Sequence, residues 1–320
     1  MNTRLDNIAA LAQECRNRLS SMSSVYEHAP LGSRTTYRVG GAAALLVEIG
    51  SVEDLMSMAQ LCATAEVPVS TLGNGSNTLV ADRGWRGAII VLGAFADVIE
   101  IPEGVGRGEH TLVHVGAAAS LPMIARRCAA QGVGGLEWLV GIPGTIGGAL
   151  RMNAGGHGSD MNEALEGAVV VDLARGVAES WKPGEFAFDF RSSTLTDEHV
   201  VIEAQLRAVG DDPDAIGARL EGIVRWRRDN QPGGQNCGSV FVNPVPHEVS
   251  AGALIDQLGL RGLRLGSAEV STKHANFIQA DPAGSADDVK SLIDEVRRRV
   301  ERETGYHLRS EVRLLGFEDD

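Results

Sequence analysis

Apolar residues recur at helical spacing at Leu5, Ile8, Ala12, Cys15 and Leu19, which predicts an amphipathic helix over 4–19. Residues 20–32 show neither helical nor strand period and read as an irregular connector. ALLVEI (44–49), VPVSTLG (67–73) and AIIVLG (88–93) read as short buried strands. Ser51 and Asp54 have the spacing of a capping box, opening a helix with Leu55, Ala59 and Cys62 on one face. Over 97–118 strands are broken by a charged hairpin around Glu103–Glu109. Ser120 then starts a helix with Leu121, Ile124, Ala125 and Cys128 inward, and Gly132 stops it. Strands follow at 167–173 and 178–183, turning at Ala174–Gly176. FAFDFR (186–191) alternates like a strand, and 200–209 is a longer one. Asp212-Pro213 opens a helix over 214–228 with Ile216, Leu220, Ile223 and Val224 inward. A short helix at 250–259 and strands within 260–280 come next. A helix over 286–304 carries Val289, Leu292, Ile293, Val296 and Val300, has a Ser285–Asp288 cap and ends at Gly305. YHLRSEVRLLGF (306–317) reads as a closing strand. The fold class is α+β. It divides into an N-terminal helix and connector (1–32), a domain over 33–210 in subdomains of about 33–95 and 96–210, and a domain over 211–320 whose last strand returns to the site.

Composition narrows the function. The chain has 320 residues, 29 basic against 42 acidic, for a net charge of −13. That argues against nucleic acid or an anionic membrane as partner, but not against an anionic small ligand. Cys15, Cys62, Cys128 and Cys237 form no C-x-x-C pair and read as reduced thiols. The N-terminus lacks a signal pattern and no long apolar run occurs, so a cytoplasmic protein is expected. G-x-G-x-x-G, G-x-S-x-G and G-K-[ST] are all absent. His110 and His114 lie in a strand-like segment without metal-pair spacing, so no metal site is expected.

Glycine numbers 39 of 320, well above the usual roughly 7%. The segment 141–158, GIPGTIGGALRMNAGGHG, mixes glycine with Ile142, Ile146, Leu150 and Met152. It reads either as buried main chain along a phosphate-bearing cofactor or as a tight turn between core strands. Gly73-Asn74-Gly75-Ser76-Asn77 reads either as a pyrophosphate cradle or as an N-G hairpin turn. Two such segments about 70 residues apart favour one shared dinucleotide. Other polar positions are ambiguous by pattern alone. Arg191 could be an edge-strand arginine, Ser239 part of a turn, Glu311 one rung of a charge ladder with Arg309 and Arg313, and Lys273–Asn276 a polar turn or an anion contact.

Seven motifs in order remove much of that ambiguity: RTTYRVGG (34–41), LGNGSNTLV (72–80), GLEWLVGIPGTIGGALRMNAGGHG (135–158), FDFRSS (188–193), CGSVFVNP (237–244), STKHANFI (271–278) and SEVRLLG (310–316). Together they resemble the UDP-N-acetylenolpyruvoylglucosamine reductase family. The resemblance implies a two-subdomain FAD-binding fold of the PCMH/vanillyl-alcohol-oxidase type, followed by an α+β substrate-binding domain. It implies non-covalent FAD along Gly73, Asn74, Gly75, Ser76, Asn77, Thr78 and Leu79, and along Gly141, Ile142, Pro143, Gly144, Thr145, Ile146, Gly147, Gly148, Asn153, Ala154 and Gly155. It also implies NADPH as hydride source, a UDP-sugar substrate, and a cytoplasmic step of peptidoglycan synthesis that serves cell-wall growth, shape and division. No obligate protein partner is implied.

The same resemblance places the family's catalytic arginine, serine and glutamate on Arg191, Ser239 and Glu311. Arg228, Asn243, Lys273 and His274 fall on the substrate side. An arginine suits an enolate carboxylate because it stays charged and binds in two-pronged fashion, a serine would donate the proton, and Glu311 would polarise the enolate or relay protons. Flanking Arg309 and Arg313 would hold Glu311 ionised, which suits an orienting role. Three departures stand out. Phe190 replaces a frequent tyrosine, Asn230 replaces a frequent lysine for which Arg228 is the available cation, and 191–211 is too short for an inserted tyrosine loop, as in the shorter subtype. The competing readings are an alcohol-oxidising flavoenzyme of the same fold and a flavin-binding regulator without turnover.

Overall fold

The computed structural model describes residues 3–246 and 248–317, with side chains from Asn7 onward. Two compact units interleave along the sequence. Met1–Glu27, Leu45–Gly73 and Gly87–Arg227 form the first; His28–Ala44, Asn74–Arg86 and Arg228–Asp320 form the second.

In the first unit, helix Thr3–Arg18 lies on helix Val52–Ala65, with Cys15 Sγ 3.4 Å from Met58 Sδ. Ile8, Ala12 and Cys15 are buried as their spacing predicts, as are Leu55, Ala59 and Cys62; Leu5 lies outside the described side chains. A four-stranded sheet runs Ser24–Pro30, Ala42–Ile49, Trp85–Leu92, Val69–Thr71. The expected connector over 20–32 therefore contains a strand. Of its side chains only Ala29 is fully buried, so an edge strand held by main-chain pairing leaves no apolar alternation to read. Ser51 Oγ accepts from the Asp54 N–H at 3.1 Å, as a cap should. The buried Asp54 carboxylate reaches further, accepting from the Ser20 N–H, Ser20 Oγ and Ser23 Oγ at 2.9, 2.6 and 2.7 Å.

The second sheet of this unit runs Val177–Trp181, Leu165–Asp172, His199–Gly210, His110–Gly116, Ile99–Glu100, with Val133–Gly134 also on His199–Gly210. Its pairings are antiparallel. Helix Leu121–Ala130, a 3-10 turn at Glu137–Gly141 and helix Ile146–Arg151 supply Ile124, Leu139, Ile146 and Leu150 to a core with Val113, Val115, Leu165, Val170 and Leu206. Ser120 starts its helix without a side-chain cap. FAFDFR is not a strand. Pro183–Phe186 is a 3-10 turn, and Ala187 and Arg191 have φ of 39° and 57°, left-handed values that a strand cannot contain. The alternation arises because Phe186 is buried and Phe188 stacks on it at 5.0 Å, while Phe190 is exposed. In helix Pro213–Asn230, Asp212 Oδ1 accepts from the N–H groups of Asp214 and Ala215. Ile216 is buried there, but Val224, expected inward, is 46% exposed.

In the second unit, helix Ala286–Thr304 buries Val289, Leu292, Ile293, Val296 and Val300 against a small antiparallel sheet of Arg264–Leu265, Ala268–Val270 and Ile278–Ala280. Tyr37, Val240 and Phe241 complete that core. Ser285 Oγ accepts from the Asp288 N–H, and Gly305 ends the helix at φ 77°. The closing strand is only Arg313–Leu315, so Glu311 precedes it rather than standing on a strand face. Among the described residues no helix is long and apolar enough to cross a membrane, and no group of His, Cys, Asp and Glu could hold a metal.

Burial alone would raise the Asp54 carboxyl pKa, but the bonds from Ser20, Ser23 and Ser51 outweigh it and hold the group below the usual value. A depressed folded-state pKa means the stabilisation is complete above the unfolded value of about 3.9 and is lost as pH falls through the folded one. Asp54→Ala should therefore lower the unfolding free energy by about 2–4 kcal/mol at neutral pH, with the deficit shrinking below about pH 4; urea titrations of both proteins across pH would measure this.

Candidate active site

The two glycine segments meet inside the first unit. A Cβ on Gly73 would stand 2.6 Å from Thr145 Oγ1, so bare main chain lies against the second segment there. That second segment is laid along 117–121: Leu121 N–H donates to Gly144, Ile146 N–H to Ala119 and Gly147 N–H to Ala117. It is thus not a tight turn between core strands. It enters from a 3-10 turn and leaves through a six-residue helix into the hairpin Gly155–Gly156 with Ser159–Asp160. Ile142 and Gly141 are half-buried, while Pro143 and Gly148 are exposed. At Gly148 an added Cβ would meet only Thr145 Oγ1, at 3.7 Å, so space is open beside this main chain. Asn153 is buried and its amide belongs to the scaffold. Nδ2 donates to Asp189 O and Asp160 Oδ2 at 3.2 and 3.4 Å, and Oδ1 accepts from the Asn162 N–H at 3.0 Å. The Ala154 N–H is likewise used, by Ala149 O.

The remainder of the first segment belongs to the second unit. Val69–Thr71 and Thr78–Val80 lie in different sheets, which excludes an N-G hairpin. Thr78 and Leu79 instead pair in parallel with Arg313 and Leu314. Gly75 sits at φ 59°, and a Cβ would fall 2.4 Å from Arg34 O. Its carbonyl accepts from the Thr36 N–H at 3.2 Å, joining the RTTYRVGG and LGNGSNTLV motifs.

A chain of bonds then links this segment to two predicted catalytic residues. Asn77 Nδ2 donates to Glu311 O at 2.8 Å, and the Glu311 N–H donates to Val240 O at 2.8 Å, one residue beyond Ser239. Residues 240–242 are held on that side by Arg309–Glu311, through Val242 N–H to Arg309 O and a bridge between Phe241 and Ser310. The structure therefore brings together Asn77, Ser239 and Glu311, which are far apart in sequence. Arg191 belongs to the first unit, half-buried in a two-residue turn closed by reciprocal Asp189 and Ser192 bonds of 3.1 Å. Its guanidinium lies 5.6 Å from the Phe190 ring centroid. It is not an edge-strand arginine.

Ser239 opens onto a cleft of about 360 Å³ lined also by Asn243, Ser250, Asp256, Arg261 and His274. Asn243 Oδ1 accepts from the Ala251 N–H, so its amide nitrogen supplies the remaining donors. Burial, and then Arg261, push the His274 pKa below its usual value. The Asn276 N–H reaches His274 Nδ1 at 3.3 Å, which assigns the neutral ring's proton to Nε2. Arg261 is held by both Asp256 oxygens, at 2.5 and 3.0 Å, and by Thr272 O. A lining of amide, imidazole, hydroxyl and guanidinium donors suits an oxygen-rich, anionic ligand. Lys273 Nζ donates to Arg228 O at 2.5 Å, and the Arg228 guanidinium pairs with Asp229.

Sequence reasoning missed Arg261 and Asp256, which stand in none of the seven motifs; Asn276, inside STKHANFI, was read only as part of a polar turn or an anion contact. It also missed the buried pair Tyr37 and Cys237. Burial, and then Cys237, raise Tyr37 well above its usual range; burial raises Cys237 to about 12 despite an opposing bond with Tyr37, so Cys237 remains a thiol and is no nucleophile.

Comparison with known proteins supplies the context. Residues 43–180 match the FAD binding domain family, and 230–315 match the C-terminal domain of UDP-N-acetylenolpyruvoylglucosamine reductase. The chain is 41% identical to the UDP-N-acetylenolpyruvoylglucosamine reductase of Parasynechococcus marenigrum over 93% of this chain and 98% of that one. It is 35% identical to the Bacillus subtilis enzyme of that name over 95% and 97%. The crystal structure of the Thermus caldophilus reductase superimposes with a TM-score of 0.75 at 34% identity, covering 92% of this chain and 98% of that one.

Gly75→Ala places a methyl against a carbonyl at a left-handed φ. It should cost about 2–4 kcal/mol of stability, measured by denaturant unfolding.

Proposed function

The chain belongs to the UDP-N-acetylenolpyruvoylglucosamine reductase family, and from that premise we propose that it reduces UDP-N-acetylglucosamine enolpyruvate to UDP-N-acetylmuramate, using FAD and NADPH. The observation that carries this reading is the bonded sequence Asn77–Glu311–Val240, which sets a glycine cradle, the glutamate and the serine side by side. The residues fit the cofactor: an added Cβ at Gly148 would meet only Thr145 Oγ1, at 3.7 Å, so bare main chain faces open space there. We assign to it the main chain of 73–79 and of 141–148, with Ala154 and Gly155. Asn153 supports it indirectly, through the hairpin that its amide fixes. Held there, FAD would supply the hydride transfer that couples NADPH oxidation to reduction of the enolpyruvyl group.

The chain's own groups do the rest. Arg191 stays charged and holds the substrate carboxylate, where negative charge grows on the way to the transition state. Its constrained turn limits the reorganisation this requires. Ser239 donates the proton to the neighbouring carbon; its hydroxyl needs a partner that takes up the charge, and Glu311, tethered one residue away, orients that exchange. Asn243 and His274 from the cleft wall, with Lys273 and Arg228, bind the nucleotide and sugar oxygens. His274 serves as a neutral Nε2–H donor. The segment 33–210 carries the cofactor and 211–320 the substrate. The setting is cytoplasmic peptidoglycan synthesis, and with it cell shape and division, and the partners are small molecules. An alcohol oxidase of the same fold would not need Ser239 beside Glu311, and family membership disfavours it.

In rapid mixing, NADPH should bleach the flavin and only the enolpyruvyl UDP-sugar should restore its colour promptly. Ser239→Ala should leave bleaching unchanged and slow recolouring by about 10²–10⁴-fold; equal loss in both halves would remove Ser239 from the donor role. Gly148→Ala fills open space on a helix. It should leave fold stability within about 1 kcal/mol of the parent yet weaken FAD binding at least about tenfold, read by flavin titration of the apoprotein.

A further inference from the structure

The segment that carries Ser239 lacks a strand on one side. Arg309–Glu311 pairs with 240–242 along one edge. Along the other edge the partner is a single residue. Asn276 O accepts from the Val240 N–H at 2.9 Å, Asn276 Oδ1 accepts from the Phe241 N–H at 3.0 Å, and Asn276 Nδ2 donates to Phe241 O at 2.8 Å. One carboxamide thus reproduces the donor-acceptor pair that a neighbouring strand would present. The residue is 5% exposed, and its own N–H goes to His274 Nδ1. The loop bearing it is stiff: buried Ser271 closes it, with Ser271 N–H on Phe277 O and Ser271 Oγ accepting from the Lys273 and His274 N–H groups. Immediately before Ser239, Gly238 sits at φ 85° with its N–H on Asn236 Oδ1 at 3.0 Å, so the serine stands between this loop contact and the ladder.

We propose that Asn276 is a positioning residue, which sets Ser239 for proton delivery by serving as the missing strand beside Val240 and Phe241. This rests on the reductase reading above. Asparagine suits the task because its planar carboxamide sets an acceptor and a donor side by side, and its short stem keeps that group rigid. Removing it leaves a buried N–H and a buried C=O unpaired on the residue after Val240, and the serine then loses its register. The side chain of Asn276 is spent on Phe241, so its removal is expected to leave hydride uptake from NADPH untouched.

The test is a double-mutant cycle on the holoenzyme, read in the two half-reactions separately. Asn276→Ala should slow the maximal rate of substrate-dependent recolouring by about 10–100-fold, leave half-saturation by the UDP-sugar within about threefold, and leave bleaching by NADPH unchanged. Asn276→Asp, nearly isosteric, keeps the acceptor and sets a carboxylate oxygen against Phe241 O. It should be slowed as well, which guards against a general folding defect in the alanine variant. Adding Asn276→Ala to Ser239→Ala should cost nothing further, because the residue acts through the serine. An additive loss in the double variant, equal slowing of both half-reactions, or unslowed recolouring in Asn276→Ala overturns this assignment alone. Failure of the unsubstituted protein to recolour with the enolpyruvyl UDP-sugar overturns the reductase reading and this assignment with it.

Discussion

The hydrogen bonds through Glu311 constrain everything around the second unit's chemistry. Its carbonyl receives the Asn77 amide and its N–H meets Val240 O, so a single residue near the end of the chain fixes residues from its first quarter and its third. The parallel pairing of Thr78–Val80 with Arg313–Leu315 continues the same clamp. Parallel strands cannot be joined by a short turn, so this contact closes across most of the length of the chain. A site assembled on such a contact is as sensitive to global stability as to local substitution.

The interleaving of the two units follows from that constraint. His28–Ala44 and Asn74–Arg86 come early in the sequence but belong with Arg228–Asp320. Their glycines explain how they can be there. Gly40, Gly41 and Gly84 are positions where a Cβ would strike main chain of 80–84 or Ala42 at 2.1–2.4 Å, so these loops are stacked backbone on backbone. The high glycine content is therefore only partly about a cofactor. Much of it lets two short excursions of chain pack together closely, and only Gly73, Gly75 and the 141–148 run stand where a ligand cradle is assigned.

Local period made the helices legible in the sequence. Val289, Leu292, Ile293, Val296 and Val300 recur at helical spacing and are all buried, and Cys15 and Cys62 likewise reported the faces they sit on. What failed was whatever long-range pairing decides. Strand Ser24–Pro30 has almost no buried side chains, so nothing in its own sequence announces it. FAFDFR alternated for a different reason: two aromatics reach the core from a turn whose left-handed residues no period can encode. The Asn74-Gly75 dipeptide carried a hairpin signal that the sheet assignment contradicts, because its flanking strands found other partners.

The site divides along the same line. Ser239, Glu311, Asn243 and His274 were proposed from motifs, and the structure sets Ser239, Asn243 and His274 on one cleft. Arg261 and Asp256 stand in no motif, and the motif around Asn276 does not by itself reveal that this residue acts by holding others. Asn276 shows why: its amide substitutes for backbone, and any stretch of strand could have filled that edge equally well in hydrogen-bonding terms. A strand would have covered the edge along its length, closing the side of the serine that faces the cleft. A single side chain satisfies the two polar groups of Phe241 and leaves Ser239 on the cleft wall. The use of a carboxamide in place of a strand is therefore what allows a main-chain ladder and an accessible proton donor to occupy adjacent residues.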